Sequence, residues 1–316
     1  MPGRGVRTVG ASRVGLRATG AWLHGALAFA VFGALLGLSS ESAAYCRTAA
    51  CDDRVGTRCE PALAGDCGTP LYWETSCVGF AIQEGGSKHV ALADLERVAE
   101  RSFGAWAQVD CGAEPPSVEG VYLGTVACDA ASYDPEGPNA NLVVFRDDRW
   151  PYGAGAALAL TTVTYSLSTG AIRDADVELN GVNNRFTISD EGADSDLESV
   201  LTHEFGHVLG LSHTDVEGAT MVRDYVPGSL ELRSLEADDR AALCAAYPPG
   251  RASQCEATPN GGLVGACGEL TEASGGCSCE AAGRAAQGSR RGAWWLGAAV
   301  LVGFAGARRR AAPGRA

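Results

Sequence analysis

The residues with the most chemistry in them lie in one run, His203-Glu204-Phe205-Gly206-His207-Val208-Leu209-Gly210-Leu211-Ser212-His213. His203 and His207 are four apart, so on a helix they project from one face on successive turns and can share one tetrahedral metal ion. Glu204 sits about 100° further round the helix, an offset that suits contact with a metal-held water better than with the metal. Gly210 has the identity that ends a helix in a left-handed turn, letting His213 swing back as third ligand. Three neutral imidazoles leave the fourth position open to water, the arrangement of a catalytic zinc site rather than a structural one. Of the five histidines in the chain, three fall in this run, one lies in the N-terminal segment and His89 stands alone. Core or surface histidines without a metal are the competing reading, and this clustering argues against it.

Such a site needs a helix held against a core. Ser195 and Glu198 read as a capping box that starts a helix at 195–209. Upstream, Leu71–Gln83 has the composition of a strand, and Val90–Gln108 carries an apolar helical stripe at Leu92, Leu95, Val98, Ala99, Phe103 and Trp106. Strands are expected at Val118–Cys128, Leu142–Phe145 and Ala157–Leu167. In the next segment Ala175, Val177 and Leu179 alternate with Asp174, Asp176 and Glu178, the pattern of a half-exposed strand. A last helix is expected at Glu236–Tyr247, stopped by Pro248 and Pro249.

With those residues in view, the motif resembles that of the metzincin zinc proteases, which place a methionine in a turn beneath the zinc ligands; Met221 is one of two methionines here. The context Ala219-Thr220-Met221-Val222-Arg223-Asp224-Tyr225, followed by a helix opening with Asp238-Asp239, is similar to the matrixin subfamily. So is the stretch from Pro70-Leu71-Tyr72-Trp73 to Phe103-Gly104-Ala105-Trp106. The resemblance implies an α+β catalytic domain over 71–249, with a twisted five-stranded mixed sheet and three helices. Ala157–Val163 is then the antiparallel edge strand over the cleft.

The resemblance also implies the roles: His203, His207 and His213 bind one zinc ion, Glu204 is the catalytic general base and acid, and Met221 forms the structural turn. The expected reaction is hydrolysis of peptide bonds in a protein or peptide substrate lying extended along the edge strand. Arg223 replaces the usual proline after the methionine turn and leaves no tyrosine as a fifth ligand. Calcium is a second candidate ion, because Asp147-Asp148 and the loop with Asp190, Glu191, Asp194 and Asp196 offer hard oxygens. The solvated-loop reading stands beside it, and no calcium ligands are named.

Charge and cysteine usage set the surroundings. The 316 residues carry a formal net charge of -13, but the two ends are basic and residues 45–279 hold 14 bases against 36 acids. A surface so acidic repels phosphate backbones, which disfavours nucleic acid, and no nucleic-acid partner is expected. Arg4, Arg7, Arg13 and Arg17, the apolar run Ala21–Leu38 and the small residues up to Ala44 read as a signal peptide over 1–44. All twelve cysteines lie between Cys46 and Cys279, as expected for disulfides in an oxidising compartment, though their pairing does not follow from spacing.

Residues 45–70 read as a Cys-rich cap. Within it, Cys67-Gly68-Thr69-Pro70 is similar to the matrixin latency switch, with a structural disulfide the favoured reading. Residues 250–292 read as a linker bearing Gly276-Cys277-Ser278-Cys279, and 293–316 as an apolar segment with Arg308-Arg309-Arg310. That tail resembles the myxobacterial type of C-terminal sorting signal, which implies transient membrane attachment before surface display; a permanent anchor is the alternative. The expectation is a secreted or cell-surface bacterial zinc endopeptidase. The alternative is a catalytically weak metzincin scaffold that binds zinc and serves in surface adhesion.

Overall fold

A computed structural model describes residues 45–50, 69–112, 114–153, 157–190, 194–267 and, as backbone, 297–306. The expected signal peptide, Cys67, the Cys277-Ser278-Cys279 motif and the arginine triplet lie outside the described residues.

The chain forms an α+β fold with a mixed sheet and three helices. Strands β1 (Cys77–Gln83), β2 (Glu119–Val126), β3 (Leu142–Phe145), β4 (Ala157–Ser166) and β5 (Ile172–Leu179) stand in the order β2-β1-β3-β5-β4. The β1–β2, β1–β3 and β3–β5 pairs are parallel, and β4 runs antiparallel to β5. Helices α1 (Leu92–Ala107), α2 (Leu197–Val208) and α3 (Ala237–Ala246) complete the domain. Short strands β6 (Phe186–Thr187) and β7 (Ser195–Asp196) pair ahead of α2, and β8 (Asp224–Tyr225) follows it. The expected edge position of β4 is not what is found. A further strand, β9 (Gly297–Gly306), drawn from the apolar C-terminal run, pairs with β4 and β8 and widens the sheet to seven strands. Among the described residues no helix is long and apolar enough to cross a membrane.

The main core lies between the sheet and α1 and α2. Phe80 of β1, Phe103 of α1 and Phe205 of α2 meet with ring centroids 4.9–5.7 Å apart, clamping the motif helix to the sheet. Every residue of α2 except Glu198 is buried, as expected of a helix enclosed on all sides.

The helix starts one residue later than the Ser195–Glu198 capping box predicts. Ser195 is held in β7, and Asp196 is the cap, its carboxylate accepting from Ser199 N at 2.8 Å. Glu198 turns outward to a two-pronged ion pair with Arg101 of α1. Pairing of β7 with β6 leaves Ser195 in the strand and outweighs its local capping preference.

The second face of the sheet is also covered. Residues 250–267 read as linker in the sequence, yet the disulfides Cys77–Cys255 and Cys128–Cys267 staple them across β1 and the end of β2. Cys111–Cys244 ties the end of α1 to α3. Loops of 133 to 178 residues closed this way each remove chain entropy worth on the order of 4–5 kcal/mol. Arg251 donates to Trp73 O (2.7 Å) and Thr75 O (3.0 Å) and lies over the Tyr247 ring. Gly79 shows how closely this stretch crosses β1: a Cβ there would lie 1.8 Å from Ala257 O.

The acids of β5 also depart from their expected exposure, with Arg146 and the Leu142 backbone closing over two of them. Asp174, Asp176 and Glu178 were expected at the surface and are only 1–2% exposed. Glu178 meets Arg146 at 2.5 Å, and Asp176 accepts from Leu142 N at 2.9 Å. Asp174 and Asp176 stand opposite Thr164 and Thr162 of β4 with no cation among the described residues beside them. Burial pushes the Asp174 carboxyl up to about 7, and burial with the neighbouring Asp174 charge raises Asp176 well above the carboxylate range. The folded chain therefore holds protons that the unfolded chain releases, so this pair's stabilisation is complete below about pH 4 and is lost as pH rises through about 7. Asp176→Asn keeps the acceptor for Leu142 N and is expected to be more stable than the parent above neutrality, with the difference vanishing in acid. Urea midpoints at the two ends of that range test this, and parallel curves would contradict it.

Candidate metal centre

Helix α2 carries His203 and His207 on one face, as their spacing requires. It ends where Gly210 takes φ +82°, and a Cβ there would come within 2.7 Å of Leu71 O, so glycine is needed for both turn and space. The chain then returns through Leu211 and brings His213 back to the helix. The three histidines are buried, with ring nitrogens within 4.8 Å of one another.

The end of α2 is buried and its carbonyls are satisfied from four directions. Trp73 Nε1 donates to Val208 O (2.8 Å), Tyr247 Oη to Leu209 O (2.9 Å) and Thr48 N to Gly210 O (3.0 Å). Leu211 O accepts from His207 Nδ1 at 2.9 Å. The N-terminal segment thus acts as a brace, with Arg47 bridging to Leu211 and Ser212 N donating to Cys46 O.

These contacts orient the imidazoles. A carbonyl only accepts, so His203 Nδ1, 2.6 Å from Thr220 O, and His207 Nδ1 must both carry the proton. Their Nε2 lone pairs then face inward. His207 Nε2 and His213 Nε2 stand 3.3 Å apart, two basic nitrogens that need a cation or a shared proton between them. Burial, followed by the charge of neighbouring groups, drives the histidines toward the neutral form: His207 down to about 4, His213 to about 2, and His203 well below its ordinary value. Three neutral, buried, convergent donors fit a borderline-soft divalent cation such as zinc.

Glu204 is fully buried beside this group. Its Oε2 accepts from Thr161 Oγ1 of β4 at 2.5 Å, while Oε1 has no hydrogen-bond partner among the described residues. Burial raises the carboxyl to about 8, and the Thr161 bond opposes that rise.

Beneath the histidines lies the turn containing Met221. The turn is fastened by Asp239 of α3, which accepts from Thr220 N (2.7 Å) and Met221 N (3.0 Å). Gly206 is where the turn meets the helix: a Cβ there would lie 2.2 Å from Met221 Sδ and 2.8 Å from the Trp106 ring. Gly206→Ala is therefore expected to lose about 1–3 kcal/mol through overpacking, against a gain of about 1 kcal/mol in helix propensity. It should also weaken metal binding. Denaturant unfolding with and without zinc measures both, and a stabilised variant would contradict the packing argument.

The structure brings His203, Glu204, His207, His213 and Met221 into one place. The sequence reading missed Thr161, Asp239 and the carbonyls of Leu211 and Thr220. Only Asp239 left a trace, as one of the acids opening the last helix. Asp190 and Asp196, raised as calcium candidates, both pair with Arg233 at 2.7 Å.

Residues 130–248 match the family described as Peptidase_M10: Matrixin. Among curated proteins, the metalloendoproteinase 4-MMP of Arabidopsis thaliana is 27% identical over 169 residues, covering 52% of this chain and 43% of that protein. The metalloendoproteinase 1-MMP of the same plant is 44% identical over 54 residues, 17% of this chain and 15% of the relative. The chain thus spans less than half the length of these relatives. The matched region runs from the loop before β3 to the end of α3 and contains the whole histidine group. With the sheet order and three helices, it makes the fold metzincin-like.

Proposed function

We propose that the chain is a zinc-dependent endopeptidase. The observation that carries this reading is the juxtaposition of three neutral histidine nitrogens with a buried carboxyl group whose Oε1 has no hydrogen-bond partner among the described residues. A purely structural zinc site fills its fourth position from the protein, and no further Cys or His joins this group among the described residues.

His203, His207 and His213 would hold the ion, which when bound supplies a water acidified toward neutrality and polarisation of the scissile carbonyl. With the positive charge of the ion opposing the effect of burial, Glu204 would stay ionised, so that it could accept the proton of the attacking water at Oε1 and return it to the leaving amine. Thr161 holds the other oxygen, fixing the carboxylate against rotation. Main-chain groups of β4 would orient an extended peptide with little demand on its sequence. The similarity to two plant metalloendoproteinases supports the same reaction class.

Secretion through the N-terminal segment, and display at the surface of a bacterial cell through the C-terminal one, belong to the same proposal. Three disulfides among the described residues support an oxidising compartment. The test is cleavage of an unbiased peptide library by the purified chain, its loss on chelation and its return with zinc. Cleavage that survives chelation, or no cleavage even after the strand β9 is displaced, would refute the reading.

A further inference from the structure

The strand beside Glu204 has its outer edge occupied by the chain itself. β9 runs antiparallel along β4, from Ser166↔Gly297 through Thr161↔Val302 to Ala157↔Ala305. Its last two residues pair on the other side, in parallel, with β8: Ala305 with Asp224 and Gly306 with Tyr225. β9 is thus held by main-chain bonds between β4 and the segment that follows the Met221 turn. Its middle lies abreast of Thr161, whose hydroxyl holds Glu204. An extended peptide added to a free sheet edge is held by the same kind of bonds.

The sequence of the segment, GAAVLVGFAG, suits this place. It has no charge, no proline to interrupt a ladder, and small or apolar residues throughout. Without it, the outward-facing half of the backbone groups of the ten-residue β4 would be unpaired, an edge that folded proteins normally cover. Because the occupant belongs to the same chain, its effective concentration is high, and a free peptide must displace it before it can pair with β4.

We infer that Gly297–Gly306 is a built-in, substrate-like occupant of the cleft and that it closes the metal site to other peptides until it is withdrawn. This rests on the endopeptidase reading for its consequence, though not for the docking itself. It also identifies the geometry that the cleft accepts: an extended segment running antiparallel to β4 and held by main-chain bonds.

The test uses the full chain and two single variants, Val300→Pro and Val302→Pro, each removing a main-chain donor and fixing φ within β9. Hydrogen exchange is followed at the β4 amides not bonded to β5, with amides of β3 and α2 as the control for an intact fold. The expected result is protection in the parent and faster exchange in both variants. A synthetic peptide of residues 297–306 added in trans should restore protection, and library cleavage should rise about tenfold or more in the variants. Equal exchange in parent and variants overturns the docking. Faster exchange with unchanged cleavage overturns the blocking role. Faster exchange, with the added peptide restoring protection and no cleavage by any form, upholds the occupant and refutes the endopeptidase reading instead.

Discussion

Glu204→Gln is expected to lose peptide hydrolysis by roughly 10^2–10^4-fold while retaining one zinc ion per chain. The amide has nearly the volume of the carboxylate, and its oxygen can still accept from Thr161, so packing around the helix is preserved. What disappears is the basic oxygen at Oε1, a buried acceptor beside the histidines that has no hydrogen-bond partner among the described residues. The histidine nitrogens are untouched, since their orientation depends on Thr220 O and Leu211 O. Metal content by elemental analysis and library cleavage measured on the same sample separate the two effects. A variant that cleaves as fast as the parent would remove Glu204 from the mechanism, and one that loses zinc would make it a ligand or a structural residue.

Asp239→Ala should be the most destabilising single change near the site. Asp239 is buried and accepts from three backbone N–H groups: Thr220 and Met221 in the turn and Glu236 at the start of α3. Truncation leaves these donors without a partner, at about 1–3 kcal/mol for each one that stays buried. A total on the order of 3–5 kcal/mol is a large part of a domain's stability. The turn it releases carries Thr220 O, the acceptor that orients His203, so zinc affinity should fall about 10–100-fold as well. Asp239→Asn, which keeps one acceptor oxygen, should recover part of both losses, and the neighbouring Asp238→Ala should change neither. Denaturant titration and competition with a chelating dye measure the two quantities. Equal behaviour of Asp238→Ala and Asp239→Ala would dismiss the role given to the turn.

Neither effect at Asp239 was legible beforehand, whereas the histidine group was, and the difference is one of range. His203 and His207 are set on one helical face by a periodicity that acts over four residues, and Gly210 reverses the chain through a backbone conformation that glycine alone adopts freely. The apolar stripe of α1 and the strand at Leu142–Phe145 were visible for the same reason. Local signals failed where a distant segment decided the outcome. Ser195 had the composition of a cap but was held in a strand by Phe186, so Asp196 became the cap. The acid alternation on β5 has the pattern of a solvated face, yet Arg146, 32 residues before Glu178, and the Leu142 backbone, 34 residues before Asp176, close over it. Residues 250–267 have the composition of a linker, yet disulfides staple them to the sheet.

Legible in the sequence alone were the three histidines, their spacing, the glycine turn that lets the third return, and the acidic body between two basic ends. Which ring nitrogen of His203 and His207 faces inward depends on packing, because the carbonyls that set it belong to Thr220 and Leu211. Packing also decided that Thr161 holds Glu204 across 43 residues of chain, and that the outer edge of β4 is closed by Gly297–Gly306. Ligand identity is written in side-chain chemistry and helical period. Tautomer, orientation and access are set by which backbone groups come within hydrogen-bonding distance, and that follows only from how the whole chain packs.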